Sequence, residues 1–218
     1  PVDGSYTRLM GIYQDYSDFD RLGNVRSCRP YYAYFAMEFD AIYVHYGECM
    51  YAADILNSGK VDNLDGIEGK VDSLVFYRTS DKKQPHNAYV TTDGIKAGIE
   101  YKGYDTTYSD DYTGHYQFAE DDAPVTLADG EDAVVVKPYY FYNHPWFEYN
   151  AEDGLYYRYQ FGDKQVDALT DEQTAVKNII YQDCDSSVID EKYGYLDINL
   201  TSGGKGKYFT NGKMIDIT

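Results

Sequence analysis

The sequence predicts a chain of mixed α and β structure, with helices and strands alternating in its N-terminal half and strands dominating its C-terminal half. Three observations carry this. Tyr31, Tyr34, Phe35 and Phe39 recur at helical spacing and run straight into the short apolar stretch of residues 41–45. From residue 133 onward, short β-prone runs follow one another with turn residues between them. Asn211-Gly212 lies between two such runs and is the strongest short-range signal for a hairpin.

Residues 6–13 read as an interior strand. Tyr6, Met10 and Ile12 share one face with Arg8, while Leu9 and Tyr13 occupy the other. Residues 14–23 are polar, with Asp15, Asp18 and Asp20, and read as a loop. Pro30 suits a first helical turn, where its missing N–H costs nothing. Residues 41–45 read as a buried strand that Gly47 breaks. Cys49, Ala52, Ala53 and Leu56 then mark a second helix closed by Ser58-Gly59.

Residues 61–70 are turn-rich and residues 74–77 read as a short strand. Residues 82–86 form a polar loop, and Asp93 is expected to cap a helix from residue 94 to about 101. Composition shifts at Glu120-Asp121-Asp122-Ala123-Pro124. This separates an α/β domain over residues 1–124 from a mainly β domain over residues 125–218. In the second, strands are expected over 133–136, 146–149, 155–161, 177–182 and 193–200, followed by the closing hairpin.

The 218 residues suffice for a real core. The net charge of −18, from 19 basic and 37 acidic residues, repels a phosphate backbone and argues against nucleic acid as a partner. No apolar run approaches the roughly 20 residues of a membrane helix. The 27 tyrosines suit strands, core rims and sugar-binding surfaces. The three cysteines, Cys28, Cys49 and Cys184, form no Cys-x-x-Cys pair, and their odd number does not favour a complete disulfide framework. The chain begins at Pro1, as expected of a processed exported protein or a fragment.

Several motifs resemble the YerB-like family of bacterial lipoproteins. They are Gly4-Ser5-Tyr6-Thr7-Arg8-Leu9, Gly23-Asn24-Val25-Arg26-Ser27-Cys28-Arg29-Pro30-Tyr31, Phe39-Asp40-Ala41-Ile42-Tyr43-Val44-His45-Tyr46-Gly47, Pro85-His86-Asn87-Ala88-Tyr89 and the stretch Gly204 to Lys213. They span nearly the whole chain in family order. The resemblance implies an α+β layered fold, with a mixed sheet and helices in the N-terminal half and mostly antiparallel β structure in the C-terminal half. It further implies an extracytoplasmic protein anchored to the membrane by a lipid on a cysteine upstream of residue 1. Family elements at both ends, a first strand and a last one, are expected to fall outside the chain. The family brings no assigned activity and implies neither cofactor nor metal.

Candidate ligand-binding residues are Arg8, Arg26, Ser27, Arg29, His45, His86 and Asn87. Arg26 and Arg29 precede a helix N-terminus, which favours anions, and guanidinium forks bind carboxylate or phosphate bidentately. The competing reading pairs these arginines with the chain's many carboxylates. His45 ends a strand just before a helix, where α/β proteins place ligands. With Glu48 and His86 it could relay a proton or bind zinc, although the spacing matches no metal motif. Ser27 lacks the Gly-x-Ser-x-Gly elbow of a serine hydrolase and reads as a hydrogen-bonder at the helix entrance. Cys28 reads as a buried filler. The segment 202–207 fails the phosphate-loop spacing. The aspartates of 62–66 and 129–132 complete no calcium loop.

These readings favour a binding protein over an enzyme. The expected site is a cleft of arginine, histidine and asparagine with tyrosines at its rim, holding an anionic or carbohydrate component of the cell envelope. A cell-wall hydrolase using His45 or His86 and a protein-interaction module are the alternatives.

Overall fold

A computed structural model describes residues 7–120 and 122–218. Gly4-Ser5-Tyr6 of the first motif therefore lies outside the described residues. The chain divides into two compact units. One comprises residues 10–117; the other comprises residues 118–218, joined by residues 7–9. The fold is mixed α+β, with the helices in the first unit and mostly antiparallel strands in the second. Among the described residues no helix is long and apolar enough to cross a membrane.

In the first unit β1 (Leu22–Gly23) precedes α1 (Pro30–Glu38), which begins at the proline as expected. Then come β2 (Tyr43–His45) and a 3₁₀ turn at Met50–Ala52 leading into α2 (Ala53–Leu56). β3 (Asn63–Asp65) emerges from the segment expected to be turns, and α3 (Gly69–Val75) runs from its end into the first two residues of the strand expected at 74–77. β4 (Phe76–Arg78) and β5 (Ala88–Val90) form a hairpin, and α4 (Thr92–Lys102) follows. β2 and β3 pair in parallel as a sheet of their own, while β1, β5 and β4 form an antiparallel sheet in that order. Parallel and antiparallel pairing thus occupy separate sheets.

The core of this unit is Leu64 from β3, Val71 and Val75 from α3, Val90 from β5, and Ile95 and Ile99 from α4. Each such side chain contributes about 1.5–3 kcal/mol when fully removed from water. α4 approaches this core closely because residue 98 is glycine: a Cβ there would lie 2.5 Å from Val75 Cγ2 and 3.0 Å from Leu64 Cδ1. The helix is capped by Thr91, whose Oγ1 accepts the Gly94 N–H at 3.0 Å, and not by Asp93. It ends at Gly103 in the left-handed conformation (φ 70°).

Residues 7–13 form no strand. Leu9, Ile12 and Tyr13 are exposed and Met10 is half-buried, and the segment passes from one unit to the other.

The second unit contains β6 (Glu131–Asp132), β7 (Val135–Val136), β8 (Trp146–Asn150), β9 (Leu155–Gln160), β10 (Asp163–Lys164), β11 (Ala175–Val176), β12 (Asn178–Asp183), β13 (Ser186–Asp190), β14 (Tyr195–Ile198), β15 (Lys205–Thr210) and β16 (Lys213–Ile217). They form sheets β10-β9-β8-β7, with β11 also on β9, and β12-β15-β16-β6, besides the hairpin β13-β14. Ala133, Val136, Tyr156 and Phe209 are its buried core. The β15–β16 hairpin turns at Asn211 (φ 50°) and Gly212 (φ 72°), the two positive φ values that a tight two-residue turn demands.

Candidate functional site

The C-terminal end of the parallel pair β2–β3 gathers the most chemistry in the first unit. Parallel pairing in register places His45 opposite Asp65. Residues 26–28 run alongside the chain that leaves β2. Tyr46 N–H donates to Arg26 O at 3.1 Å, Cys28 N–H to Gly47 O at 2.7 Å and Cys49 N–H to Cys28 O at 3.2 Å. Gly47 makes the turn with φ 74°, which a side chain would strain. Glu48 is thereby carried back beside Asp65.

His45 is buried, 1% exposed, under the stacked ring of Tyr43. Its Nδ1 lies 3.0 Å from Gly47 O and 3.7 Å from Asp65 Oδ1, and its Nε2 lies 3.3 Å from Asn63 Oδ1. Asn63 is held in that orientation because its Nδ2 donates to Val61 O at 3.1 Å. Asp65 Oδ1 accepts the backbone N–H groups of Gly47 (2.7 Å) and Ile67 (3.0 Å). Glu48 Oε2 is buried and receives no hydrogen bond. Burial first, and then contact with the Asp65 carboxylate, push the Glu48 carboxyl above its ordinary value. One ligand atom from each of His45, Glu48 and Asp65 lies within 4.8 Å of the others.

Glu48 and Asp65 also line a cleft of about 410 Å³, together with Asn57, Asp62, Asn63 and Lys102. Lys102 Nζ is paired with Glu68 Oε2 at 2.8 Å at its edge. Tyr104 OH donates to Asn63 O at 3.1 Å and accepts the Asn63 N–H at 3.2 Å, which ties the wall of the cleft to β3. An adjoining cleft of about 490 Å³ shares Gly59, Val61 and Asp62 and adds Asp40, Asp105 and Asp110. Burial, and then Asp40, raise the Asp62 carboxyl. Carboxylates dominate both clefts.

The residues singled out from the sequence are distributed differently from the expected single hollow. Arg26 and His86 do meet: Arg26 Nη1 donates to His86 Nδ1 at 2.7 Å, on an exposed loop. Arg29 is buried, and its Nη1 donates to Cys28 O at 2.9 Å and Ser27 O at 3.4 Å, so it secures the entrance of α1. Ser27 is half-buried beside Gly47. Asn87, 6% exposed, donates to Thr79 O at 2.7 Å and accepts Arg78 Nη1 at 2.8 Å, closing the β4–β5 hairpin. Arg8 belongs to the other unit. None of these residues, His45 included, lines either cleft. The physical reason is that buried arginine and asparagine must satisfy their donors, and nearby carbonyls do so at short range. The sequence raises Asp65 only among the aspartates of 62–66 and not as a partner of His45, because residues 61–70 read as turns. The polar–apolar–polar order of Asn63, Leu64 and Asp65 was the signal for it.

Residues 1–105 match the model described as "Protein of unknown function (DUF3048) N-terminal domain", and residues 133–218 match the corresponding C-terminal domain. The chain belongs to the DUF3048 family. Within the family it is similar to "Putative lipoprotein YerB" of Bacillus subtilis (strain 168), with 31% identity over 215 residues, 99% of this chain and 63% of that protein. The crystal structure of YerB protein from Bacillus subtilis is also similar, with a TM-score of 0.71 and 30% identity over 90% of this chain and 63% of that chain. The chain thus spans somewhat under two thirds of the DUF3048 relative that it matches. The resemblance to YerB-like lipoproteins and the mixed α+β fold both rest on these likenesses.

Proposed function

We propose that this chain is the extracytoplasmic part of a lipoprotein held at the membrane surface by a lipid anchor, and that it binds a carbohydrate of the cell envelope in the acidic cleft of its first unit. The likeness to a lipoprotein supports the location. The observation that carries the binding reading is the lining of the cleft by Glu48, Asp62 and Asp65 together with the amide of Asn57. Carboxylates and amides accept and donate hydrogen bonds to sugar hydroxyls, and about 410 Å³ lies within the usual range for small-ligand sites.

Of the two ligand classes expected from the sequence, the carbohydrate fits this lining and the anion does not. The one lysine there is already engaged by Glu68, and a net charge of −18 adds to the repulsion. A hydrolase working through His45 or His86 draws no support from the geometry: His45 is buried outside the clefts and His86 is paired with Arg26.

Calorimetric titration with neutral N-acetylglucosamine oligomers, against an anionic wall polymer, tests the proposal. The neutral oligomers are expected to bind and the anionic polymer not to. Asp62→Asn is expected to weaken binding about tenfold, the equivalent of about 1.4 kcal/mol. No new reducing ends should form. Heat with the anionic polymer alone contradicts the reading.

A further inference from the structure

We propose that His45, Glu48 and Asp65 form a binding site for one divalent cation of the zinc class at the head of the acidic cleft. The donor set is one imidazole nitrogen and two carboxylates, a combination suited to zinc and its transition-metal neighbours and less to calcium, which takes oxygen alone. The ligand atoms all lie within 4.8 Å of one another. Neighbouring ligands of a tetrahedral ion bonded at about 2.1 Å stand about 3.4 Å apart; His45 Nδ1 and Asp65 Oδ1 already stand at 3.7 Å, and a rotation of Glu48 completes the set.

A second observation is independent of that proximity. Glu48 Oε2 is removed from water and no donor reaches it, while its carboxyl touches that of Asp65. Two carboxyl groups pressed together are relieved by a proton or by a cation between them, and the unserved Oε2 leaves an acceptor that a cation can take up.

The surroundings have the organisation of a metal site's outer shell. Coordination through His45 Nδ1 leaves Nε2–H to donate to Asn63 Oδ1 at 3.3 Å, and Asn63 is itself anchored on Val61 O. Asp65 is aimed by the Gly47 and Ile67 N–H groups. Gly47 O, 3.0 Å from Nδ1, also accepts the Cys28 N–H at 2.7 Å and so keeps a partner when a metal takes the place of the Nδ1 proton. The cleft supplies an entry path, because Glu48 and Asp65 line it. The site does not depend on the carbohydrate reading.

The test is titration of the purified metal-free chain with Zn²⁺ and with Co²⁺, with no sugar present. One equivalent is expected to bind, with visible d–d absorption from cobalt. Glu48→Gln is expected to weaken binding at least tenfold, and Asp62→Asn, a carboxylate of the same cleft outside the triad, to leave it within about twofold. Nitrogen-15 spectra of the histidine rings keep the test valid should Glu48→Gln fail to fold: zinc should shift His45 and leave His86, His115 and His144 in place. Equal weakening by both substitutions, binding of several equivalents with no distinct site, or an unshifted His45 ring overturns the proposal.

Discussion

Asp65 accepts the backbone N–H of Gly47 through Oδ1 at 2.7 Å, and this bond fastens the chain leaving β2 to the end of β3. The same oxygen accepts Ile67 N–H at 3.0 Å. Hydrogen bonds to a charged acceptor contribute about 1.5–3 kcal/mol each. Asp65→Ala, which removes two such bonds, is therefore expected to lower unfolding stability by about 3–6 kcal/mol, whereas Asp65→Asn, which keeps an acceptor oxygen, should lose less than half of that. Urea denaturation of the two variants checks this. Equal losses would show that the orientation of the oxygen is unimportant.

Asn87 is a structural residue. With both ends of its amide engaged in the β4–β5 hairpin, Asn87→Ala is expected to cost about 1–3 kcal/mol and to leave carbohydrate affinity in the folded variant unchanged. Denaturation and calorimetry on the same preparation separate the two effects. A loss of affinity without a loss of stability would return Asn87 to the binding site.

Gly98 tests the packing of α4. Alanine gains about 1 kcal/mol of helix propensity over glycine, yet its methyl would collide with the Val75 and Leu64 side chains, both buried. Overpacking costs about 1–3 kcal/mol and should win, lowering the thermal midpoint of Gly98→Ala. A rise in the midpoint would show that α4 has room to move.

Cys28 should be chemically silent. Burial pushes its thiol up from 9.0 to about 12 and outweighs the opposing effects of the Tyr43 hydroxyl and Arg29. Because the folded value lies above the unfolded one, the stability this group contributes is complete below about pH 9 and is lost as pH rises toward 12. Iodoacetamide at neutral pH should label the half-exposed Cys184 and leave Cys28 unmodified until the protein is unfolded, as peptide mass spectrometry would read. Rapid native labelling of Cys28 would contradict its burial.

The sequence made legible what local chemistry dictates. Pro30 opens α1, Asn211-Gly212 turns the last hairpin, and the apolar run before Gly47 is β2. The failures share a cause. Residues 7–13 carry a strand's composition but pair with no strand among the described residues, and β3 is only three residues long, so its pattern drowned among the turns that flank it. The candidate site followed the same logic. Position along the chain identified His45, but whether Arg29 and Asn87 face a ligand or a carbonyl depends on long-range packing. Asp65 joins Glu48 only through the parallel pairing of β2 with β3, a contact with no local signature.

The most direct test of the central claim is chemical-shift mapping of the backbone amides during titration with a neutral N-acetylglucosamine oligomer. Binding in the acidic cleft predicts saturable shifts at Asn57, Asp62, Asn63 and Lys102, with Arg26 and His86 unmoved. Shifts confined to the Arg26–His86 loop, or none at all, would contradict it.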